Sequence, residues 1–284
     1  MSSRRCCFLS MDSLDGYVSD DELAIKPLNE LGWDVSTVSW RDPSVDWNDF
    51  DIVVIRTTWD YQRDPNSFLE ALQCIEYSSA KLENPLDVVK WNLDKRYLCD
   101  LEDRNVPIVP TVWDAEYHEA SFYKWLEDLD TAEIIIKPTV SATAEHTYRL
   151  RSFDPALTEV FSERSFMVQP FMPNIVAEGE YSLFYFGGEY SHTILKAPKT
   201  HDFRVQEEHG GIISAVEPNA SLLEAGQKAF AATQPSPLYA RVDLVRDEKD
   251  NFVLMELELI EPALYFRMDA ESPRRFAIAL TNIA

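Results

Sequence analysis

No apolar run in this 284-residue chain approaches the roughly 20 residues that a membrane-spanning helix needs, so no such helix is expected. Cysteine is scarce. The four thiols, Cys6, Cys7, Cys74 and Cys99, form no C-x-x-C pair, which argues against a structural zinc or a disulfide framework and for a reducing, cytoplasmic setting. The N-terminus, MSSRRCCFLSMDSLDG, opens with two arginines like a secretory leader, but Asp12 and Asp15 cut its apolar stretch short, and secretion is not expected. Basic residues are few: 26 Lys and Arg stand against 49 Asp and Glu, a net charge of −23. Nucleic acid and anionic membranes are therefore poor partners. A phosphate-rich ligand would need locally concentrated cations. G-x-G-x-x-G, the P-loop pattern and G-x-S-x-G are absent, and the five histidines show no H-E-x-x-H spacing. The corresponding dinucleotide, P-loop, α/β-hydrolase and histidine-metal chemistries are set aside.

What remains is a globular composition, 45 % hydrophobic and 12 % aromatic, in a chain long enough for a sizeable core. Residues 1–85 alternate strands (5–9, 33–38, 52–55) with helices (21–31, 67–78), a pattern that predicts a parallel α/β sheet. Ligands of such sheets gather at the carboxyl ends of strands. Arg56-Thr57-Thr58-Trp59-Asp60-Tyr61 follows the third strand, as a substrate loop or as a loop around a packed tryptophan. Asn84-Pro85 marks a boundary. Beyond it the pattern is α+β: helices at 86–91, 95–105, 121–129, 221–233 and 273–281, strands at 134–138 and 166–171, and a hairpin (181–186, 190–195) turning on Gly187-Gly188. We expect three units, 1–85, 86–171 and 172–284.

The stretch VDLVRDEKDNFVLMELELIEP (242–262) reads as a second hairpin with Asp243, Glu256 and Glu258 inside apolar runs. Residues two apart on a strand share a face. Symmetrical closure around Asp247–Asn251 would set Arg241 opposite Glu256 and Asp243 opposite Leu254, with all four charges on one face. Three converging carboxylates repel unless a cation sits among them, and oxygen-only ligands suit Mg²⁺. The structural alternative is a solvent-facing edge strand guarded by glutamates.

Further motifs decide between these. The hairpin resembles the C-terminal signature of the ATP-grasp superfamily: YARVDLV is similar to the Arg-Val-Asp strand of D-alanine–D-alanine ligases, and LMELELIEP to their metal-binding strand. In the same order upstream, NLDKRYL, IIIKP, VQPFMP and DFRVQEEHGG resemble segments that contact ATP, over roughly residues 86–262. The whole chain looks most like the small glutathione-synthetase-like ligases, the branch that includes cycloserine-forming ligases. The resemblance implies an ATP-grasp fold, with an N-terminal parallel α/β domain and two α+β subdomains clamping ATP. It implies that Lys95 and Lys137 hold ATP phosphates, with Ser141 in the flap, and that Gln169, Pro170, Phe171 and Met172 line the adenine pocket. Glu178 or Glu180 would bind ribose, and Asp243, Glu256 and Glu258 would bind Mg²⁺. Arg204 would contact the γ-phosphate, Arg241 the reacting carbonyl, and Lys196 a phosphate or acyl group. Arg56, Trp59, Asp60 and Tyr61 would help select a small-molecule carboxylate and an amine, and a homodimer would be common. The implied reaction is ATP- and Mg-dependent ligation through an acyl phosphate, inter- or intramolecular. The alternatives are a small-molecule kinase and a non-catalytic nucleotide-binding protein. Two features depart from the family pattern: the flap TVSATAEHTYRL has no glycine, and Glu258 stands where asparagine is common.

Overall fold

The structure, a computed structural model, describes residues 3–113, 116–141, 144–200 and 202–283. In chain order the elements are β1 (Arg4–Ser10), α1 (Glu22–Glu30), β2 (Trp33–Ser39), β3 (Ile52–Thr57), α2 (Pro65–Glu76), β4 (Lys81–Glu83), α3 (Leu86–Asn92) and α4 (Tyr97–Asp103). There follow α5 (Glu119–Asp128), β5 (Ile134–Pro138), β6 (Tyr148–Leu150), α6 (Thr158–Ser162), β7 (Phe166–Pro170), α7 (Asn174–Ala177), β8 (Glu180–Phe186) and β9 (Glu189–Ala197). The chain ends with β10 (Ile212–Ala215), α8 (Ala220–Ala231), β11 (Tyr239–Arg246), β12 (Phe252–Glu258) and α9 (Ser272–Ile283). Among the described residues no helix is long and apolar enough to cross a membrane.

Three sheets result. The first is wholly parallel, β2-β1-β3-β4. Every residue of β3 is buried, as expected for a strand covered on both faces. The second, β6-β5-β7, is antiparallel and carries its own aromatic core around Tyr117, Phe122, Trp125 and Phe166. The third is the antiparallel β10-β9-β8-β11-β12. Gly187 and Gly188, both at positive φ, make the tight β8–β9 turn. Gly226 lets α8 press onto the sheet: a Cβ there would lie 2.5 Å from the Leu183 side chain.

The cores cross the boundaries expected from sequence. One face of the parallel sheet (Phe8, Ile52, Val54) shares a cluster with Phe184, Phe186, Tyr239 and Phe276. Helices α3 and α4 pack with α8 against the other face of the five-stranded sheet, through Val88, Leu98, Leu183 and Leu257. Residues 86–105 thus bridge two cores: Val88, Trp91, Tyr97, Leu98 and Leu101 join the C-terminal one, while Leu86, Val89 and Leu93 pack with Phe68, Leu72 and Leu82 of the N-terminal domain.

β12 is last in the sheet order, yet its edge is covered. Tyr97 Oη accepts from Leu257 N (2.9 Å), while Asn92 accepts from Leu259 N (2.9 Å) and donates to Leu257 O (2.8 Å). Leu254 exchanges backbone bonds with Pro107 and Val109. The open-edge explanation of the glutamates fails, since the groups that would need guarding are already paired. The register also differs from symmetrical closure. Arg241 pairs with Glu258 and Asp243 with Glu256, because Met255 bulges out of the ladder between Asp243 and Leu244. The four charges still share a face, as opposed residues do.

Candidate active site

That face changes character along its length. At one end Phe184, Phe186 and Ile194 seat the parallel sheet. At the other, Glu180, Lys196, Arg241, Asp243, Glu256 and Glu258 line a cleft of about 1530 Å³, open mouth included. The second wall is β5 and β7. Period-two alternation sends Ile134 and Ile136 into the aromatic core and turns Ile135 and Lys137 to the cleft, with Gln169 beside them.

Three zones follow. The first is an apolar slot of Phe171, Met172, Ile175, Val205 and Met255. The second is cationic. Lys95 lies just before α4, tied by its backbone N–H to Thr139 O (2.8 Å), and its ammonium donates to Ser141 O (2.7 Å) and pairs with Glu256 (3.1 Å). Lys137 is buried, and among the described residues no carboxylate lies within ion-pair distance of it; burial lowers its pKa. Lys196 is buried between Glu180 and Asp243. Arg204, paired with Asp202 (3.0 Å), lines the mouth. The third zone lies toward the N-terminal sheet and holds Trp59, Tyr61, Glu261 and Tyr265.

The carboxylates are electrostatically distinct. Burial pushes Asp243 up, but Arg241 and Lys196 outweigh it and hold the group at about 2. Burial likewise raises Glu256, and Lys95 and Lys137 bring it below the usual carboxylate range. Glu258 is pushed up to about 7 by burial, which its contact with Arg241 only partly offsets.

Most of the residues singled out from sequence meet in the cleft: Lys95, Lys137, Ser141, Gln169, Pro170, Phe171, Met172, Glu180, Lys196, Arg204, Arg241, Asp243, Glu256, Glu258, Trp59 and Tyr61. Three do not line it. Arg56 is the penultimate residue of β3, not a loop residue. It is 1 % exposed, holds Asp21 (2.9 Å) and donates to Pro262 O (3.0 Å). Asp60 accepts from Trp40 (2.8 Å) and Arg41 (3.0 Å). Glu178 is held by Arg246 (3.0 Å) and by the Tyr181 hydroxyl (2.6 Å). Of the flap, Ala142 and Thr143 lie outside the described residues. Glu261 and Tyr97 also line the cleft, though neither was singled out from sequence. Glu261 stood inside the LMELELIEP motif, but it follows the end of β12, where strand alternation no longer says which way it faces.

The donor set fits a hard divalent cation. Among the described residues no group of three Asp, Glu, His or Cys side chains stands close enough to hold a metal alone. Mg²⁺ asks for less: one or two carboxylates plus substrate phosphates. Glu256 and Glu258 keep 28 % and 27 % of their side-chain surface exposed in the cleft, whereas Asp243 is sequestered by its ion pairs.

Comparison with known proteins agrees with this arrangement. A family model of the N-terminal domain of the D-cycloserine synthetase DcsG matches residues 6–84. The cycloserine biosynthesis protein DcsG of Streptomyces lavendulae is 30 % identical over 271 residues, 89 % of each chain. The chain belongs to the DcsG family. A crystal structure of D-cycloserine synthetase DcsG superposes with a TM-score of 0.84 at 26 % identity, covering 98 % of this chain and 99 % of that one. The ATP-grasp ligase PsnB, in complex with a phosphomimetic variant of its minimal precursor, Mg and ADP, shares the fold (TM-score 0.69, 13 % identity, 99 % of each chain). Like its relatives, this member of the DcsG family has the ATP-grasp fold and is a carboxylate–amine ligase, an enzyme forming C–N bonds.

Proposed function

We propose that this protein uses ATP and Mg²⁺ to activate the carboxylate of a small amino-acid-like substrate as an acyl phosphate. A nitrogen of the same molecule then displaces phosphate and closes a ring, as the cycloserine-forming activity of its relatives suggests. The observation that carries the reading is the order of chemistries along the cleft: apolar slot, cations, carboxylates, then aromatic residues of the N-terminal sheet.

In this reading the apolar slot receives adenine, and Gln169 to Met172 frame it. Of the two glutamates, Glu180 is the one in the cleft and so the one to reach ribose. Lys95, Lys137 and Lys196 hold phosphates. Lys137, the buried lysine without a carboxylate partner among the described residues, is the most in need of an anion. Glu256 and Glu258 would hold Mg²⁺, which when bound offsets charge developing on phosphate oxygens. Arg204 steadies the γ-phosphate from the mouth. Arg241, already fixed by Asp243 and Glu258, presents an always-charged guanidinium to the oxyanion of the tetrahedral intermediate. The four cysteines are free, in keeping with a cytoplasmic enzyme.

The test is Mg²⁺-dependent release of ADP and phosphate, screened against amino acids and their analogues singly and in pairs. Release with a single compound whose product has lost one water supports ring closure. A product that has gained a phosphoryl group makes the protein a kinase. Glu256→Gln should lower turnover on the order of 10²-fold with the fold intact; unchanged turnover removes the metal assignment.

A further inference from the structure

The carboxylates at the base of the cleft each hold a cation: Glu180 and Asp243 flank Lys196, Asp243 and Glu258 flank Arg241, and Glu256 holds Lys95. Glu261 differs. It lines the same cleft and is 9 % exposed, and among the described residues no Lys, Arg or His lies within ion-pair distance of its carboxylate. Lys95 and Arg241 act on it only from farther off. Burial, with Glu258 nearby, pushes its carboxyl up to about 8.

Its placement is fixed from behind by three side chains. Trp59 Nε1 donates to Glu261 O (2.8 Å), Arg56 to Pro262 O (3.0 Å) and Tyr239 Oη to Ile260 O (2.8 Å). The segment is therefore held on either side of the carboxyl, by β11 through Tyr239 and by the N-terminal domain through Arg56 and Trp59. Beside it Trp59 and Tyr61 line the cleft, and the Glu261 carboxylate adds to the burial that raises the Tyr61 hydroxyl. A buried carboxyl without a cation, next to aromatic side chains, suits a cation that arrives with a ligand. A metal is a poorer match, since Mg²⁺ or Ca²⁺ wants several oxygens and Glu261 offers one side chain.

We propose that Glu261 binds the ammonium group of an amino-acid substrate, with Trp59 and Tyr61 as the flanking walls. The assignment rests on the ligase reading, in which the carboxylate of the same substrate lies toward Arg241. A hydroxy acid, with no ammonium to offer, would leave Glu261 without its counter-ion and should bind poorly.

The test is binding to the full chain, with ADP and Mg²⁺ present, of two probes, D-serine and D-glycerate, by saturation-transfer NMR titration. Wild type should prefer D-serine at least tenfold. Glu261→Gln should bring the two within about twofold while ADP affinity is unchanged. Should that variant fail to fold, Glu261→Asp, which draws the carboxylate back by one methylene, should keep the thermal midpoint and lose most of the preference. A wild type that does not discriminate, or a variant that still does, overturns the assignment. So does a Glu261→Gln whose sole defect is a raised Mg²⁺ requirement, which would make the residue a metal ligand. The readout needs no turnover. Discrimination lost in Glu261→Gln without ADP release in any screen would remove the proposed ring closure and the placement of the substrate carboxylate toward Arg241 but leave the ammonium site standing, and ADP release without discrimination would do the opposite.

Discussion

Arg56 and Arg241 are both nearly buried arginines in apolar strands, 1 % and 9 % exposed, and the sequence nominates both for binding substrate. Arg241 lines the cleft between Asp243 and Glu258. Arg56 does not line it and instead holds Asp21 and the carbonyl of Pro262. Residue type and burial are the same. What differs is the neighbour: Arg241 meets residues of its own strand and of the adjacent one, whereas Arg56 meets a helix cap 35 residues back and a loop 206 residues ahead. A buried charge is thus a sign that something must compensate it, and the compensating group decides between scaffold and site.

The sharpest way to break this contrast is Arg56→Ala. It leaves Asp21 and the Pro262 carbonyl without their partner, and stability should fall by about 3–5 kcal/mol in urea denaturation. Near-normal stability with a raised KM for the acid substrate would return Arg56 to the binding site. Arg241→Ala should do the reverse, lowering kcat on the order of 10²–10³-fold with a smaller shift of the urea midpoint. An unchanged kcat would make the two arginines alike.

His192 sharpens the point as a buried base on the cleft face of the sheet, stacked on Phe184 with ring centroids 4.2 Å apart. Burial lowers its pKa from the ordinary 6.5 to about 4. The unfolded chain therefore takes up a proton below about pH 6.5 that the folded protein refuses until about pH 4. Stability contributed above that window is lost as pH falls through it, by up to about 3 kcal/mol. His192→Gln should flatten this part of the stability profile relative to wild type; parallel profiles would show that the imidazole takes up its proton as readily in the fold as in the unfolded chain. The smallest effect is expected at Glu178, whose pair with Arg246 is partly exposed. Glu178→Gln should cost less than about 1 kcal/mol and leave KM for ATP unchanged, whereas Glu180→Gln should raise it.

Much of this was legible because it was local. The parallel N-terminal sheet followed from alternating strands and helices, and β5 from Ile-Ile-Ile before Lys137. Asp243, Glu256 and Glu258 stood out because charge inside an apolar strand is rare unless something pairs with it. Short edge elements such as β4, β6 and β10 were missed, since three or four residues carry too little periodicity. Glu178 and Glu180 could not be told apart, because β8 begins only at Glu180 and strand alternation does not reach back across Gly179.

The sequence by itself determined which faces of which strands would be charged, because side-chain alternation is a property of the backbone within a few residues. It could not say that Met255 bulges and brings Glu258, not Glu256, opposite Arg241. Nor could it turn Arg56 into a strut between β3 and the segment after β12, or aim Glu261 into the cleft. Those outcomes depend on which distant stretch of backbone lands opposite each side chain, and only the packed molecule fixes that.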